Sequence, residues 1–430
     1  MKATNQGAPT DVQEAPGFLA WCIVLHAFTH GAHVVLLPLY LAVQEDLGLP
    51  SVAGSTLLMT ILMVAYFLPS YNMGVLADRY DRRWLLGIGL LISGLGFVFL
   101  GMAPSFPWAV VGAVLAGLGG SFYHPASTGL ISHFYPTNQG RAFGLVGIGA
   151  NLGLLLVPLY SGWQLDRLGA ELGSAAWRRP VLELGGLAVV VSLLFLVATR
   201  RWKIPHATSE SKRHGVAPDL GLALWLVLAG TGLMFSLRDF AGTGMGSLGA
   251  LFMQQAHGFS ATKTGVAVSA IFLAGIISNP LFGKLSDRNR FGWIAFVLGM
   301  AGFFVWLFPF LPRPWLIPGL LVYGFFFMAC YPMVEAALME AVPAPVRGRI
   351  FGAFILISGL LGNISHWLIG RWVQSLGRAA EVMGAYRPGF WMLGALVWFS
   401  LLGLVGLRML RVRLRPATET ATSPGTNAIR

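Results

Sequence analysis

GVLADRYDRR, at residues 74–83, returns in shortened form as GKLSDR at residues 283–288, 209 positions later. Each copy follows a long apolar run and is followed by another. A second pair, GRAFG at residues 140–144 and GRIFG at residues 348–352, is separated by 208 positions. Two nearly equal spacings predict that the chain consists of two similarly built halves, as an internal duplication would produce.

Composition indicates what these halves are made of. Apolar residues make up 56% of the 430 residues and charged residues only 11%, against roughly a quarter charged in soluble domains. A bilayer is spanned by about 20 apolar residues in a helix, because lipid offers no partner to a free backbone amide. Twelve such runs lie at about 17–43, 52–76, 84–103, 107–132, 143–163, 180–199, 220–254, 262–283, 292–311, 315–341, 349–374 and 389–410.

We therefore predict an all-α integral membrane protein with twelve transmembrane helices in two pseudo-symmetric six-helix bundles. The predicted division is residues 1–199 and 220–410 for the bundles, 200–219 for a cytoplasmic linker, and 411–430 for a disordered tail. Most Lys and Arg residues lie in the segments that are cytoplasmic if both termini are inside. The net charge of +12 thus indicates membrane topology rather than nucleic-acid binding.

The pattern at residues 74–83 resembles the loop between helices two and three of the major facilitator superfamily, G-x-L-a-D-r-x-G-r-[KR], with Asp81 in place of a usual Gly. The resemblance extends along essentially the whole chain. It implies a transporter in which two halves rock around a central site. It also implies a cytoplasmic gate of Gly74, Asp78, Arg79, Arg82, Asp287 and Arg288, although the arginines could equally serve only to anchor the topology.

A second resemblance concerns the fifth run. It is similar to the proton-coupled exporter motif G-x8-G-x3-G-P-x2-G-G, although Val157 and Ser161 stand where that motif has glycine. The matching positions are Gly144, Gly153, Pro158 and Gly162. The sequence GSFYHP at residues 120–125 and the histidine-rich first run look most like the fosmidomycin-resistance group of exporters. Proton-coupled efflux across the inner membrane is the activity this implies.

Ionisable residues inside apolar runs are expensive in lipid and usually line a solute or proton path. His26, His30 and His33 have the i, i+4, i+7 spacing of one helix face. Aligning residues 44–48 with 254–258 places Asp239 opposite Thr29 in the other half. The resemblance implies that helices one, four, seven and ten line the central cavity, which places there His26, His30, His33, His124, Arg238, Asp239 and Glu335.

We expect Asp239, Glu335 or one of the histidines to take up a coupling proton. Histidine titrates near neutral pH, and a carboxylate removed from water favours its neutral form. Arg238 would then attract an anionic substrate or hold Asp239. In the alternative interpretation Arg238 is neutralised only for structural reasons and His124 caps a backbone carbonyl near Pro125.

Three other functions fit parts of the pattern. Uptake of a small organic anion with a proton is the main alternative to efflux. A membrane metalloenzyme is a distant one, because His26-x-x-x-His30 forms one histidine box but the other histidines are dispersed; a lipid or sensor role is the third. The sequence contains no P-loop motif, so ATP hydrolysis is not the expected energy source. We expect no catalytic residues, no cofactor and no metal. The expected partners are a small solute, protons and the lipid bilayer. We expect the chain to be a monomer.

Overall fold

The computed structural model describes residues 17–135, 138–202, 221–342 and 347–414. Every regular element in these ranges is helical. The first half consists of α1 Phe18–Gly31, α2 Tyr40–Asp46, α3 Val52–Phe67, α4 Ser70–Arg79, α5 Arg82–Met102, α6 Phe106–Gly120, α7 Tyr123–Phe134, α8 Gln139–Leu172 and α9 Arg178–Ala198. The second consists of α10 Gly221–Leu251, α11 Ala261–Leu285, α12 Arg290–Leu307, α13 Leu316–Ala341, α14 Arg347–Asn363, α15 Ser365–Leu376, α16 Arg387–Phe399 and α17 Gly403–Leu414.

Pairs of shorter helices combine into single spans. The first span is α1 with α2, and α3 with α4, α6 with α7, α14 with α15 and α16 with α17 form the other divided ones. Ten segments are long and apolar enough to cross a bilayer, and one of them, Arg141–Ala198, contains both α8 and α9. Counting α8 and α9 separately and adding the shorter apolar helix α1 gives twelve spans. The twelve-helix prediction is confirmed.

Proline explains two of the interruptions. α6 ends at Gly120 and α7 begins at Tyr123, where Pro125 has no amide to offer the carbonyl four residues earlier, that of Ser121. Pro69 lies between α3 and α4. Pro158, in contrast, is accommodated inside α8, as expected.

The two halves touch at the end of the bundle that lies away from the 79–82 and 285–290 loops. We call the end carrying these loops the loop end and the other the far end. At the far end the Ser269 hydroxyl of α11 donates to the Leu155 carbonyl of α8 at 2.6 Å. Asp166, near the end of α8, accepts the backbone amides of Ala261 and Thr262 at 3.1 and 2.8 Å. That carboxylate thereby caps the first turn of α11 across the interface.

A second far-end contact joins α3 to α15. The Thr60 hydroxyl donates to the Asn363 carbonyl at 3.1 Å and accepts the Trp367 amide at 3.0 Å. A third joins the first span to the short helical segment Phe252–Ala256 that follows α10, because the Gln254 side chain donates to the Pro38 carbonyl at 2.8 Å. The far end is therefore closed by paired helices from the two halves.

Four glycines near the loop end lack close neighbours from other helices. A methyl group added to Gly74 on α4, Gly144 on α8, Gly283 on α11 or Gly352 on α14 would meet no heavy atom of the described residues within 4 Å. At the far end an added methyl on Gly265 of α11 would collide with the backbone of α8. The four loop-end glycines are therefore not packed against another described helix, and we call the region between α4, α8, α11 and α14 at the loop end the cleft.

The boundaries predicted for the linker and tail can be compared only in part. α17 continues to Leu414, past the predicted end of the second bundle at residue 410. Linker residues 203–219 and tail residues 415–430 lie outside the described residues.

Candidate functional site

Three histidine rings from two spans meet in the first half. His26 and His30 lie one turn apart on α1 with ring centroids separated by 4.6 Å. The ring of His124, on the first turn of α7, lies 5.2 Å from that of His26 and 5.5 Å from that of His30. One ring nitrogen from each lies within 4.8 Å of the others. We call these three residues the histidine cluster.

The environment of each ring differs. His26 is buried, and its Nδ1 donates to the Val146 carbonyl of α8 at 2.8 Å. Its Nε2 is buried without a hydrogen-bond partner. His124 is the most exposed of the three residues. The ring of His124 packs on the rings of His26, His30 and Tyr123.

The structure corrects the helical position predicted for His33. α1 ends at Gly31, and residues 32–36 are turns that lead into a 3-10 helix with Pro38 at its start. The His33 amide bonds to the His30 carbonyl at 3.0 Å, three residues back rather than four. Glycine and proline both disfavour continuation of the α-helix. The His33 ring nevertheless stays 4.9 Å from that of His30 and packs on Tyr66 of α3 at 4.6 Å.

A second polar centre lies in the other half. Arg238 and Asp239 are consecutive on α10, and both are buried. Nε and Nη2 of Arg238 lie 2.9 and 2.8 Å from the same carboxylate oxygen, Oδ1 of Asp239. The guanidinium carbon lies 4.3 Å from the ring centroid of Tyr331 on α13, a cation–π contact. The charge of Arg238 is thus balanced within its own half.

Glu335 completes this centre. It lies four residues after Tyr331 on α13, hence on the same helix face. Its carboxyl group interacts electrostatically with both Arg238 and Asp239. The structure therefore brings together the three intramembrane charges that the sequence singled out. We call Arg238, Asp239 and Glu335 the charged cluster.

Sequence reasoning missed a polar network at the junction of the halves. Ser247 of α10 lies 3.1 Å from the Tyr40 hydroxyl of α2 and 2.7 Å from Nδ1 of His366 on α15. His366 is buried, its Nε2 has no partner, and it interacts electrostatically with His33 of the first half. Its position within an apolar run was the available signal, since a buried ionisable residue in a span is a candidate site residue by itself.

The predicted gate residues lie at the loop end. Arg79 and Arg288 are exposed, and Arg82 donates through Nε to the Ala77 carbonyl at 3.0 Å within its own half. The side chain of Asp78 is outside the described residues. In the second copy Asp287 lies 3.4 Å from Arg290, which also pairs with Glu340 at 2.8 Å. Both of these ion pairs remain within the second half.

The glycines of α8 serve close helix packing. An added methyl on Gly153 would overlap the Ala27 carbonyl of α1, and one on Gly162 would overlap the Ala261 carbonyl of α11 in the other half. Gly144, in contrast, has open space around it. α8 therefore uses one glycine to pack on its own half and another to close the far end.

Twelve spans in two similar bundles, each of which buries ionisable groups within its membrane spans, are the architecture of a membrane transport protein. The model of the Major Facilitator Superfamily matches residues 19–366, and the chain belongs to that superfamily. The resemblance noted in the sequence is thereby confirmed, and the chain is a multi-pass secondary transporter rather than an enzyme. The metalloenzyme alternative is therefore wrong.

Similar proteins differ in what they carry. The chain is 21% identical to the fosmidomycin resistance protein of Escherichia coli (strain K12), with 84% of this chain and 87% of that protein covered. It is 26% identical to multidrug resistance protein MdtG of Proteus mirabilis (strain HI4320), with 85% and 89% covered. A probable hexose phosphate transport protein of Chlamydia pneumoniae is 24% identical, with 76% and 78% covered.

Solved structures share the fold. A bacterial homologue of the human lysosomal transporter Spinster, in an inward-facing and unoccupied conformation, superimposes with a TM-score of 0.70 at 16% identity, covering 96% of this chain and all of that one. A D-xylose–proton symporter gives a TM-score of 0.69 at 16% identity, covering 94% and 98%. At this identity the likeness extends to the fold alone.

Proposed function

We propose that the chain exports a small organic solute across the inner membrane in exchange for protons, by alternating access. The observation that carries this proposal is that each half holds a polar cluster within its spans, while the hydrogen bonds of Asp166 and Ser269 join the two halves at the far end. A solute bound between the halves would be released when the far-end contacts break and the cleft closes.

The bundles 1–199 and 220–410 would move as two bodies joined by the linker 200–219. With Lys and Arg concentrated at the loop end, both termini and the cleft would face the cytoplasm, and the conformation described is the one that accepts a solute from inside. Native Cys22 and Cys330 are both buried, so a single cysteine introduced at Arg288 can be labelled against a low background. Labelling by an impermeant maleimide only after lysis supports this orientation; labelling of intact cells contradicts it.

The charged cluster is our first choice for proton coupling. Arg238 uses only Oδ1 of Asp239, which leaves Oδ2 available to a proton. Protonation of Asp239 would weaken its hold on Arg238 and free the guanidinium for an anionic group of the solute, because a neutral acid attracts a cation far less than a carboxylate does. Glu335, which interacts electrostatically with both groups, would be the other carboxylate that could take up the proton. The histidines remain the alternative proton site.

A transport assay in proteoliposomes tests the coupling. Asp239→Asn and Glu335→Gln are expected to reduce uptake driven by an imposed pH gradient at least tenfold, whereas solute exchange without a gradient should persist in at least one of them. Glu340→Gln, a carboxylate at the end of the same helix α13 as Glu335, is the matched control and should transport normally. If both variants of the charged cluster kept the pH-driven flux of the parent protein, this proton site would be wrong.

Uptake of a small organic anion is the second candidate. The buried guanidinium of Arg238 suits a phosphate or carboxylate, and one set of relatives is named for hexose phosphate transport. Cells expressing the chain are to be compared with empty-vector cells using fosmidomycin and a radiolabelled hexose 6-phosphate as probes. Lower fosmidomycin accumulation supports export, and higher hexose phosphate accumulation supports uptake. One copy of the chain contains both halves that would enclose the pathway, and we propose that it works as a monomer.

A further inference from the structure

The histidine cluster has the composition of a metal site. Three imidazoles from α1 and α7 present one nitrogen each within 4.8 Å of the others, the one such group of His, Cys, Asp or Glu found among the described residues. His33 adds a fourth ring at 4.9 Å from His30. Neutral imidazole nitrogens suit Zn²⁺, Ni²⁺ and Cu²⁺, whereas Mg²⁺ and Ca²⁺ require oxygen ligands.

The hydrogen bond of His26 prepares its ring for coordination. A backbone carbonyl can only accept, so Nδ1 of His26 must carry the proton that it donates to Val146 at 2.8 Å. In the neutral ring Nε2 then keeps its lone pair. This Nε2 is buried and has no hydrogen-bond partner. Metal-binding histidines are typically anchored in this way by a carbonyl on the far nitrogen.

Distance and access also fit an ion. In a tetrahedral site with Zn–N bonds of about 2.0–2.1 Å, ligand nitrogens lie about 3.4 Å apart. The rings of the cluster therefore need to close by about 1.4 Å at most, which side-chain rotation can supply. The exposed ring of His124 provides the route of entry and leaves a fourth position for water or a solute donor atom.

We propose that His26, His30 and His124 bind one divalent late first-row transition-metal ion, of the Zn²⁺ class, within the first half. The site stands independently of the direction of transport and of the solute carried. The ion would join α1 to α7 and so stiffen the first half near the junction with the second. It would also place a positive charge beside the solute path.

The test uses the full-length protein in detergent with a tag that contains no histidine. Zn²⁺ is titrated in competition with a chromophoric chelator. We expect one Zn²⁺ per chain, bound with a Kd in the micromolar range or tighter, and no competition from Mg²⁺. His30→Gln and His124→Gln should each weaken binding at least tenfold, since loss even of a group that only orients a ligand costs 10–100-fold.

His257→Gln, which changes a histidine in the turn after α10, is the matched control and should bind Zn²⁺ like the parent protein. Co²⁺ should give the visible absorption of a four-coordinate nitrogen site, and His124→Gln should abolish it; because this side chain is exposed, the variant is expected to fold. Absence of stoichiometric Zn²⁺, or unchanged affinity in both cluster variants, would overturn the proposal. Because binding is measured without flux, its outcome is separate from that of the transport assay.

Discussion

The ion pair of Arg238 with Asp239 offers a quantitative test of the second polar centre. Asp239→Asn keeps the size of the side chain but removes the negative charge. The Arg238 side chain is only 2% exposed and that of Asp239 11% exposed, so water can replace little of the lost interaction. The guanidinium would remain buried against the Tyr331 ring, with the Glu335 carboxyl as the remaining acidic group that interacts with it.

Two independent arguments give the magnitude. The carboxylate accepts one hydrogen bond of 2.9 Å from Nε of Arg238 and lies 2.8 Å from Nη2 of the same guanidinium. A hydrogen bond to a charged group contributes about 1.5–3 kcal/mol. Removing one partner of a buried ion pair typically costs about 3–5 kcal/mol, because the other charge is left uncompensated. We therefore expect Asp239→Asn to lower the free energy of unfolding by about 3 kcal/mol, roughly a hundredfold in the equilibrium constant.

The double variant distinguishes the pair from simple loss of packing. Arg238→Gln together with Asp239→Asn removes both charges, so it should recover at least half of the stability that Asp239→Asn loses. Stability is measured by SDS titration in mixed micelles with tryptophan fluorescence as the signal, for which the chain has 14 tryptophans. If the two single substitutions each cost less than about 1 kcal/mol and simply added, the two residues would be energetically independent and our reasoning would be refuted.

Three further outcomes follow from the contacts between and within the halves. Asp166→Ala removes a cap on α11 that contributes about 1 kcal/mol. Distances between spin labels on the two halves should therefore show about a fivefold shift towards opening at the far end. An unchanged distance distribution would exclude a role of Asp166 in far-end closure. Gly162→Leu places a side chain against the backbone of α11 and should prevent far-end closure, whereas Gly144→Leu, in open space, should close normally. Glu340→Gln breaks the ion pair of Glu340 with Arg290, in which the Glu340 side chain is 48% exposed. Because exposed ion pairs contribute little to stability, Tm should stay within about 2 °C of the parent value.

The number of spans could be predicted from sequence because lipid imposes one local rule. Each crossing must satisfy its own backbone hydrogen bonds, so length and apolarity suffice to find it. The divisions within spans were harder to predict. Pro125 interrupts the fourth span, whereas Pro158 is accommodated inside α8. The tolerance of a proline depends on neighbouring helices that can satisfy the freed carbonyl, and those neighbours are not visible in the local sequence.

The candidate site was predictable in its members but not in its grouping. Charged residues inside apolar spans can be recognised from the sequence, and Arg238 and Asp239 form an ion pair that interacts electrostatically with Glu335. His366 was missed because its hydroxyl neighbours, Tyr40 and Ser247, come from two other spans. Contacts between helices far apart in sequence depend on crossing angles and depth, which a single run of residues does not encode.

The two halves share repeated sequence motifs but carry different side chains at corresponding depths. Thr29 occupies the position that matches Asp239, and its hydroxyl bonds to the Leu25 carbonyl of its own helix at 3.0 Å. The first half thus has no charge to balance there and uses the surrounding space for neutral imidazoles, whereas the second half buries a balanced ion pair. A charged pair can respond to a proton by changing its net charge, while a neutral imidazole group offers lone pairs. The two similar halves therefore place different chemistry within their spans: an ion pair in the second half and a group of imidazoles in the first.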